Sequence, residues 1–401
     1  MSGPLISITR ARELVLDAVA PLGTEPVAVD GALGRVLAGD LKAIGDVPPF
    51  PCSAMDGYAV IDGDAHRTLV IVGESRAGAP APRSLGVDEA IRISTGAAVP
   101  AGATAVIPQE DVVAGDATIE TGAAVAAGTH IRGAGEDMRA GADVLSAGTV
   151  LGPVELGAAV AAGVGTVTAA RRPRVSVLCT GDELRAPGEP LGPGEIHNSN
   201  AVMLIGLATR AGAITTPAER LPDDRGATAT GIAAALQRSD VVIITGGVSV
   251  GPHDHVKPVL SSLGVREIFW SVALQPGKPT WFGVAPDGPL VFGLPGNPVS
   301  SVVTFSLFVA PALAALQGAP AARPPRFEAR LGMDVRRNPA REQAVRVRLQ
   351  PDGGDVLAFP TGAQGSHILT SLLGADALAM IAAGDGAATA GTVVALKAIA
   401  R

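Results

Sequence analysis

Aromatic side chains are scarce in this chain: they make up 3% of 401 residues, with one Tyr, two Trp and eight Phe. That removes the stacking surface on which a single-stranded nucleic acid would rest. Core volume must come instead from Ala, Val, Leu and Ile. Cysteine is scarcer still. Cys52 and Cys179 are the only two and form no C-x-x-C pair, which argues against a thiol metal site or a disulfide framework and fits a reducing, cytoplasmic setting. Long basic runs are missing and the formal net charge is −7, so nonspecific nucleic-acid binding is not expected. No apolar h-region follows Met1, so secretion is not expected. The most membrane-like run, Val302 to Leu316, is short, contains Pro311 and follows a Gly-Asn-Pro turn. It predicts a buried helix, not a membrane span. His253 and His255 alternate without a third ligand, so no zinc site is expected.

What is present points to a folded, multidomain protein. Apolar residues make up 47% and charged residues 17%, a globular balance. Gly (51) and Pro (32) together form about one residue in five, which predicts many turns and short strands. The length predicts two to four domains.

The opening reads as scaffold. Residues 8–20 have helical periodicity behind a Ser7 or Thr9 cap, and Val27 to Asp40 reads as a strand, a turn and a short helix. Residues 45–58 change character. Three prolines precede Ser53-Ala-Met-Asp56-Gly-Tyr58, a stiff polar loop ahead of a strand. Short strands then recur every 8–12 residues from Leu69 to Thr149, the pattern of an all-β module. It carries two polar corners: Arg92-Ile-Ser-Thr95-Gly96, and Arg132-Gly-Ala-Gly-Glu136-Asp137-Met-Arg139. An Ala-rich helix covers Leu156 to Ala162.

After Arg171-Arg-Pro-Arg174 the pattern becomes α/β. Val175 to Leu178 is a buried strand followed by Thr180-Gly181-Asp182-Glu183. Asn198-Ser-Asn200 caps a helix. Val241 to Ile244 is a second buried strand followed by Thr245-Gly246-Gly247-Val-Ser249. Alternating strands and helices predict a parallel, doubly wound sheet. Ligands in such sheets bind outside the carboxyl ends of the strands, and glycines there let the backbone approach an anion. If the two Thr-Gly turns share an edge, Asp182, Glu183, Asp223, Asp224 and Asp254 form a carboxylate set suited to Mg²⁺ bridging a phosphate. Two stiff polar loops follow. Pro276-Gly-Lys278-Pro279 places a cation between prolines, and Pro295-Gly296-Asn297-Pro298 leads into a helix whose amino end favours an oxyanion. Gly318 to Pro325 is a linker. The tail alternates like a small β domain, notably in Ala344-Val-Arg346-Val-Arg348, and contains Gln364-Gly-Ser366-His367.

Eight stretches in order resemble the MoeA family of molybdopterin molybdenumtransferases, homologous to the E domains of gephyrin and Cnx1. They are Ser53-Ala-Met-Asp-Gly-Tyr-Ala59, Ile91-Arg-Ile-Ser-Thr-Gly96, Gly135-Glu-Asp137, Ser176-Val-Leu-Cys-Thr-Gly-Asp-Glu-Leu184, Thr245-Gly-Gly-Val-Ser-Val-Gly251, Pro276-Gly-Lys-Pro279, Gly293-Leu-Pro-Gly-Asn-Pro-Val-Ser300 and Gln364-Gly-Ser-His367. The resemblance implies an α/β plus β multidomain fold: a discontinuous scaffold (1–44 and 141–172), an inserted β module (45–140), a MogA-like molybdopterin-binding α/β domain (173–318) and a C-terminal β barrel (324–401). It implies a homodimer whose site lies between the α/β domain of one subunit and the β module of the other.

The implied reaction inserts molybdate into adenylylated molybdopterin with Mg²⁺-dependent release of AMP. Asp56, Glu183, Asp254 and Lys278 are the implied catalytic residues. Glu183, Asp223 or Asp224, and Asp254 are on the metal side. Substrate contacts are implied for Thr95, Asp137, Thr180, Gly181, Asp182, Asn200, Thr245, Gly246, Gly247, Ser249, Pro295, Gly296, Asn297, Ser300, Arg341, Arg346 and Ser366, with Lys278, Ser300, Arg341, Arg346 and Ser366 gripping molybdate through charge-assisted bonds. A MogA-type adenylyltransferase and acceptor molybdoenzymes are implied partners. The chain departs from the pattern in two places. Many relatives carry a Lys ahead of the Pro-Gly-Lys, whereas Gln275 precedes Pro276 here. The Gly-Arg-x-Glu-Phe pattern reads Ala340-Arg-Glu-Gln-Ala344. A carrier without catalysis, or a transferase acting on tungstate, would share most of these features.

Overall fold

The computed structural model describes residues 5–247, 255–319 and 327–399. The described chain forms two compact units. One comprises residues 26–33 and 39–168, and the other holds the rest.

The smaller unit is built on a six-stranded sheet in the order Ala105–Pro108, Gly57–Val60, Glu89–Ile93, Thr68–Ser75, Thr118–Thr121, Val112–Ala114. Only the pairing of Thr68–Ser75 with Glu89–Ile93 is parallel. Side chains alternate between two cores. Tyr58, Val60 and Ala90 pack on one face, and Ala59, Ile91 and Ile93 on the other. The strand period of two produces this division. Leu41–Lys42 pairs antiparallel with Asp143–Leu145, so the chain leaves and re-enters this unit's remaining part on neighbouring strands. The helix Pro153–Ala161 starts with Pro at its first turn, and Glu155 reaches back to accept from the Gly152 amide at 3.0 Å, an ordinary helix start.

In the larger unit, the helix Ile8–Asp17 is capped by Ser7, whose hydroxyl accepts from the Arg10 amide. Ala11 and Val15 are fully buried in the main core. The short helix expected near Asp40 does not form. A single 3₁₀ turn, Val29–Gly31, follows the strand Thr24–Ala28. Gly34 at φ +73 then turns the chain away from helical geometry.

The α/β sheet runs in the order Ile214–Thr215, Arg174–Thr180, Val241–Thr245, Leu290–Leu294, Trp281–Val284, Arg266–Trp270, with Glu219–Leu221 also beside Arg174–Thr180. The pairings through Leu290–Leu294 are parallel. The last two are antiparallel, so the sheet is mixed where an all-parallel one was expected. Trp281–Val284 and Leu290–Leu294 are joined by a tight turn in which the Ala285 amide donates to the Pro289 carbonyl at 2.9 Å. A connection that short can only make antiparallel neighbours.

Val241 and Ile243 face one core and Val242 and Ile244 the other, because helices cover both sides. The run Pro298–Leu316 is one continuous helical stretch of 19 residues with mean hydropathy 2.0 and 72% of it buried. It is apolar because it lies inside the core, where Phe305, Phe308 and Leu313 are fully buried.

Five strands close a barrel in the tail: Glu342–Asp352, Asp355–Pro360, Phe327–Leu331, Val393–Ala398, Ala377–Ile381, and back to Glu342–Asp352. Closure removes the sheet edges. Leu274–Gln275 adds to this barrel in parallel, opposite Glu342 and Gln343. That pairing fixes the Pro276–Pro279 loop against the start of the long barrel strand.

Candidate functional site

The strand register decides where the motif loops meet. Cys179 is level with Thr245, and Thr245 with Leu294, so the turns after all three strands open on one edge. A cavity of about 410 Å³ lies there, lined among others by Thr180, Glu183, Asn200, Gly246, Gly296 and Asn297. Gly246 has φ +84 and Gly247 φ +61. A methyl on Gly246 would lie 2.7 Å from Thr180 Oγ1, so only glycine lets the two Thr-Gly turns approach so closely. At Gly181 a methyl would collide with the Glu183 carboxylate, which folds back over the turn.

Asn200 stitches the crevice together. Its Nδ2 donates to the Gly296 carbonyl at 2.7 Å and to Thr245 Oγ1 at 3.1 Å. Thr245 Oγ1 in turn donates to the Pro295 carbonyl at 3.2 Å. The Gly296 carbonyl dictates that the amide nitrogen faces it, which leaves the buried Asn200 Oδ1 without a partner. Asn198 caps the helix Ser199–Arg210 by accepting from the Ala201 amide. Cys179 beneath it is buried, and burial pushes its thiol up despite a hydrogen bond to Asn198. It stays protonated and is a poor nucleophile.

A second group of residues gathers where the barrel meets the α/β domain. Asn297 Nδ2 donates to Ser366 Oγ at 2.9 Å, and the Val299 amide donates to the Ser366 carbonyl at 3.1 Å. The Gln364–His367 loop is thus docked on the Gly296-Asn297-Pro298 turn. Ser300 is buried in the helix that follows, and its carbonyl accepts from Thr304 Oγ1 at 2.8 Å. The Pro276–Pro279 loop rests on that same helix. Gly277, at φ +121, leaves no room for a methyl, which would lie 2.7 Å from Thr304 Cγ2. Lys278 is exposed at the loop's tip. Gln275 does not replace a cation there: its Oε1 accepts from Asn338 Nδ2 at 2.6 Å.

Arg341 is half-buried on the turn beyond. Arg346 is only 1% exposed. Its Nε donates to Ser371 Oγ at 3.1 Å, and its Nη2 donates to the carbonyls of Gly365 (3.1 Å) and Ala363 (3.4 Å). The resemblance implies a molybdate-gripping cation at this position; the structure bonds this guanidinium to the loop that carries Ser366.

The carboxylates divide by role. Asp182 Oδ1 faces the Asp223 amide at 3.4 Å. Asp224 caps the helix Arg225–Arg238 by accepting from the Ala227 amide at 2.8 Å, so its side chain serves the helix. Asp254 and Ser249 lie outside the described residues. Among the described residues no three His, Cys, Asp or Glu side chains gather as a metal-holding group. The implied Mg²⁺ set of Glu183, Asp223 or Asp224, and Asp254 is therefore described only in part, with Asp224 committed to its helix.

In the smaller unit, Asp56 Oδ1 accepts from the Thr95 amide at 2.7 Å and from Thr95 Oγ1 at 3.1 Å. The stiff loop carrying Asp56 and the polar corner carrying Thr95 are therefore one feature. Asp137 sits in a loop anchored by backbone bonds to Val47 and Pro48, and its carboxylate is exposed. The sequence reading missed Asn338 altogether, and with it Ile196, His197 and Ser199 on the cavity wall. The last three immediately precede or open the Asn-Ser-Asn cap, so proximity to that motif was a usable signal.

Fold and crevice together define a multidomain α/β plus β protein in which the loop edge of a mixed α/β sheet meets a closed β barrel. The chain belongs to the MoeA family. It matches the MoeA N-terminal region (domain I and II) over residues 6–163, the probable molybdopterin binding domain over 176–315, and the MoeA C-terminal region (domain IV) over 328–399. It is 35% identical over 399 residues to a molybdopterin molybdenumtransferase of Haemophilus influenzae, covering 98% of each chain. It is 34% identical over 368 residues to molybdopterin molybdenumtransferase 2 of Mycobacterium tuberculosis, covering 88% of this chain and 89% of that one. The solved molybdopterin biosynthesis MoeA protein of Pyrococcus horikoshii OT3 superposes with a TM-score of 0.82 at 31% identity, covering 98% of this chain and all of that one.

Proposed function

We propose that this protein is a molybdopterin molybdenumtransferase of molybdenum cofactor biosynthesis, taking adenylylated molybdopterin and molybdate as substrates. Two Mo–S bonds form as molybdate loses one oxo group, which leaves as water with the two dithiol protons; a second water hydrolyses the phosphoanhydride, and AMP leaves. The observation that carries this reading is the meeting of two loop groups on one unit. The Thr180, Gly246 and Gly296 turns surround a cavity at the strand ends, and Ser366 is bonded to Asn297 on its rim. The glycine turns offer close backbone approach to the pterin phosphate. Lys278, Arg341, Ser300 and Ser366 supply the positive and hydroxyl groups that a tetrahedral oxyanion needs. Glu183 and Asp182 border the same edge and can position water for attack. Mg²⁺ dependence belongs to the proposal.

The dimer is also part of this proposal. Asp56, Thr95 and Asp137 would then come from the second copy. The smaller unit leaves Leu33, Ile44, Val150, Val154 and Val160 exposed, each by more than half, apolar side chains available to a second copy. A cytoplasmic location, supply of substrate by an adenylyltransferase, and handover to molybdoenzymes complete the reading. The experiment is AMP release from adenylyl-molybdopterin in the presence of Mg²⁺ and molybdate. Lys278→Ala should lower it strongly. Tight molybdopterin binding without AMP release would favour a carrier instead.

A further inference from the structure

Asn338 belongs to none of the motifs, yet it joins the two segments that carry Lys278 and Arg341. It lies half-buried in the turn between Val335–Arg336 and Glu342–Asp352. Its Oδ1 accepts from the Ala340 and Arg341 amides at 2.9 Å each. Two backbone donors on one side-chain oxygen settle the orientation of the amide. Its Nδ2 therefore points to Gln275 Oε1, 2.6 Å away. The Asn338 amide donates to Gln343 Oε1 at 2.9 Å, and its carbonyl accepts from Gly384 at 3.0 Å. Gln275 and Gln343 are themselves opposite each other in the parallel pairing that attaches the Pro276–Pro279 loop to the barrel.

We propose that Asn338 is a positioning residue for oxyanion binding. It fixes the spacing between the loop carrying Lys278 and the turn carrying Arg341. The inference rests on reading those two cations as the oxyanion grip. Two like charges that must converge on one small anion repel each other when the anion is absent, so their backbones need an independent tie. A neutral amide-to-amide bond provides one without adding charge to the pocket. The tie crosses the domain joint beside the backbone pairing of Leu274–Gln275 with Glu342–Gln343, and among the described residues it alone links that pairing to the Asn338 side chain, which holds the turn carrying Arg341. A bare turn-capping role for Asn338 would involve Oδ1 alone and would be indifferent to Gln275.

The test is a double-mutant cycle on the full chain: Asn338→Ala, Gln275→Ala and both together, with the KM for molybdate, kcat and the thermal midpoint measured for each. Each single variant should raise the molybdate KM about fivefold, the worth of one neutral hydrogen bond, while kcat stays within about twofold. The double variant should be no worse than the poorer single. Gln275→Ala should lower the midpoint less than Asn338→Ala does, because it leaves the Asn338 turn intact. A molybdate KM unchanged by Gln275→Ala, in protein whose wild type binds molybdate by calorimetry, overturns the inference alone. So do effects that multiply in the double variant. A wild type that binds no molybdate overturns the oxyanion reading and the inference with it.

Discussion

Replacing Arg346 by Lys should damage the protein more than replacing it by Met, against the usual sense of a conservative change. The magnitude follows from the surroundings. Burial lowers the guanidinium from its ordinary value to about 10, so keeping it charged costs roughly 3 kcal/mol. Three acceptors offset this: Ser371 Oγ and the carbonyls of Gly365 and Ala363. Bonds from a charged donor contribute about 1.5–3 kcal/mol each, so the group is net stabilising by a few kcal/mol. Lysine keeps a charge to desolvate but has no planar fork to reach acceptors on several sides, and the expected loss is about 3–5 kcal/mol. Methionine gives up the bonds but also the desolvation cost, and the expected loss is about 1–3 kcal/mol.

The assay is denaturant unfolding near neutral pH, with Trp270 and Trp281 fluorescence reporting the larger unit, alongside limited proteolysis of the Thr361–Ser371 loop. The folded value, about 10, lies below the unfolded one. The folded chain therefore holds fewer protons only within that window, and stability gains with rising pH only there. Between about pH 6 and 9 the gap between wild type and Arg346→Met should stay flat. A Lys variant within about 0.5 kcal/mol of wild type would refute the reasoning, and so would a Met variant less stable than the Lys one. Both variants should also loosen the loop that presents Ser366 and so weaken oxyanion binding.

Three further outcomes are expected. Asp56→Ala removes the acceptor for both Thr95 donors on an exposed corner, so turnover should fall about a hundredfold while the unfolding free energy moves by less than about 1 kcal/mol; equal losses in both would contradict this. Gly246→Ala combines a φ of +84 with a contact of 2.7 Å to Thr180 Oγ1 and should destabilise by about 1–3 kcal/mol, whereas Gly206→Ala, exposed in mid-helix with open space around it, should stabilise by about 0.5–1 kcal/mol, both read from denaturation midpoints. At Asp240, burial acts to raise the carboxyl, but bonds from the Arg171 side chain and the Arg174 amide outweigh it and hold the group below 3.8. Its contribution is therefore complete above the unfolded value and lost as pH falls through the folded one. Asp240→Asn should cost about 1–3 kcal/mol at neutral pH, and the deficit should fade in acid, which a pH series of unfolding curves would check.

The elements that the sequence made legible are those whose signal is local. The apolar strands ending at Thr180 and Thr245 carry their own period and their own glycine stops, and the caps at Ser7 and Asn198 are where the side-chain oxygens predict. The direction of Trp281–Val284 was not legible in that way. It follows from a turn only a few residues long before Leu290, which alternating α/β grammar passes over. The missing short helix before Asp40 has the same cause. Its periodicity suggested a helix, but a positive φ at Gly34 decided otherwise.

Site residues divide on the same line. Glycine turns at strand ends can be read from one stretch of chain, because the conformation they require is a property of the residue itself. Arg346 cannot. In Ala344-Val345-Arg346-Val347, strand alternation sends Val345 and Val347 into the barrel and puts Arg346 on the face shared with Ala344. That face would be solvent in an isolated barrel, and a cation there would be a free ligand. Here the same face packs toward the α/β domain, since Ala344 and Leu378 belong to its core, and the Gln364–His367 loop folds back across the guanidinium. The charge is consumed in holding the loop. The same packing gives Asn338 its reach to Gln275, and it docks Ser366 on Asn297 at the cavity rim. What a polar residue does on that rim depends on a neighbour supplied by another domain, and no pattern within its own strand or turn could have named that neighbour.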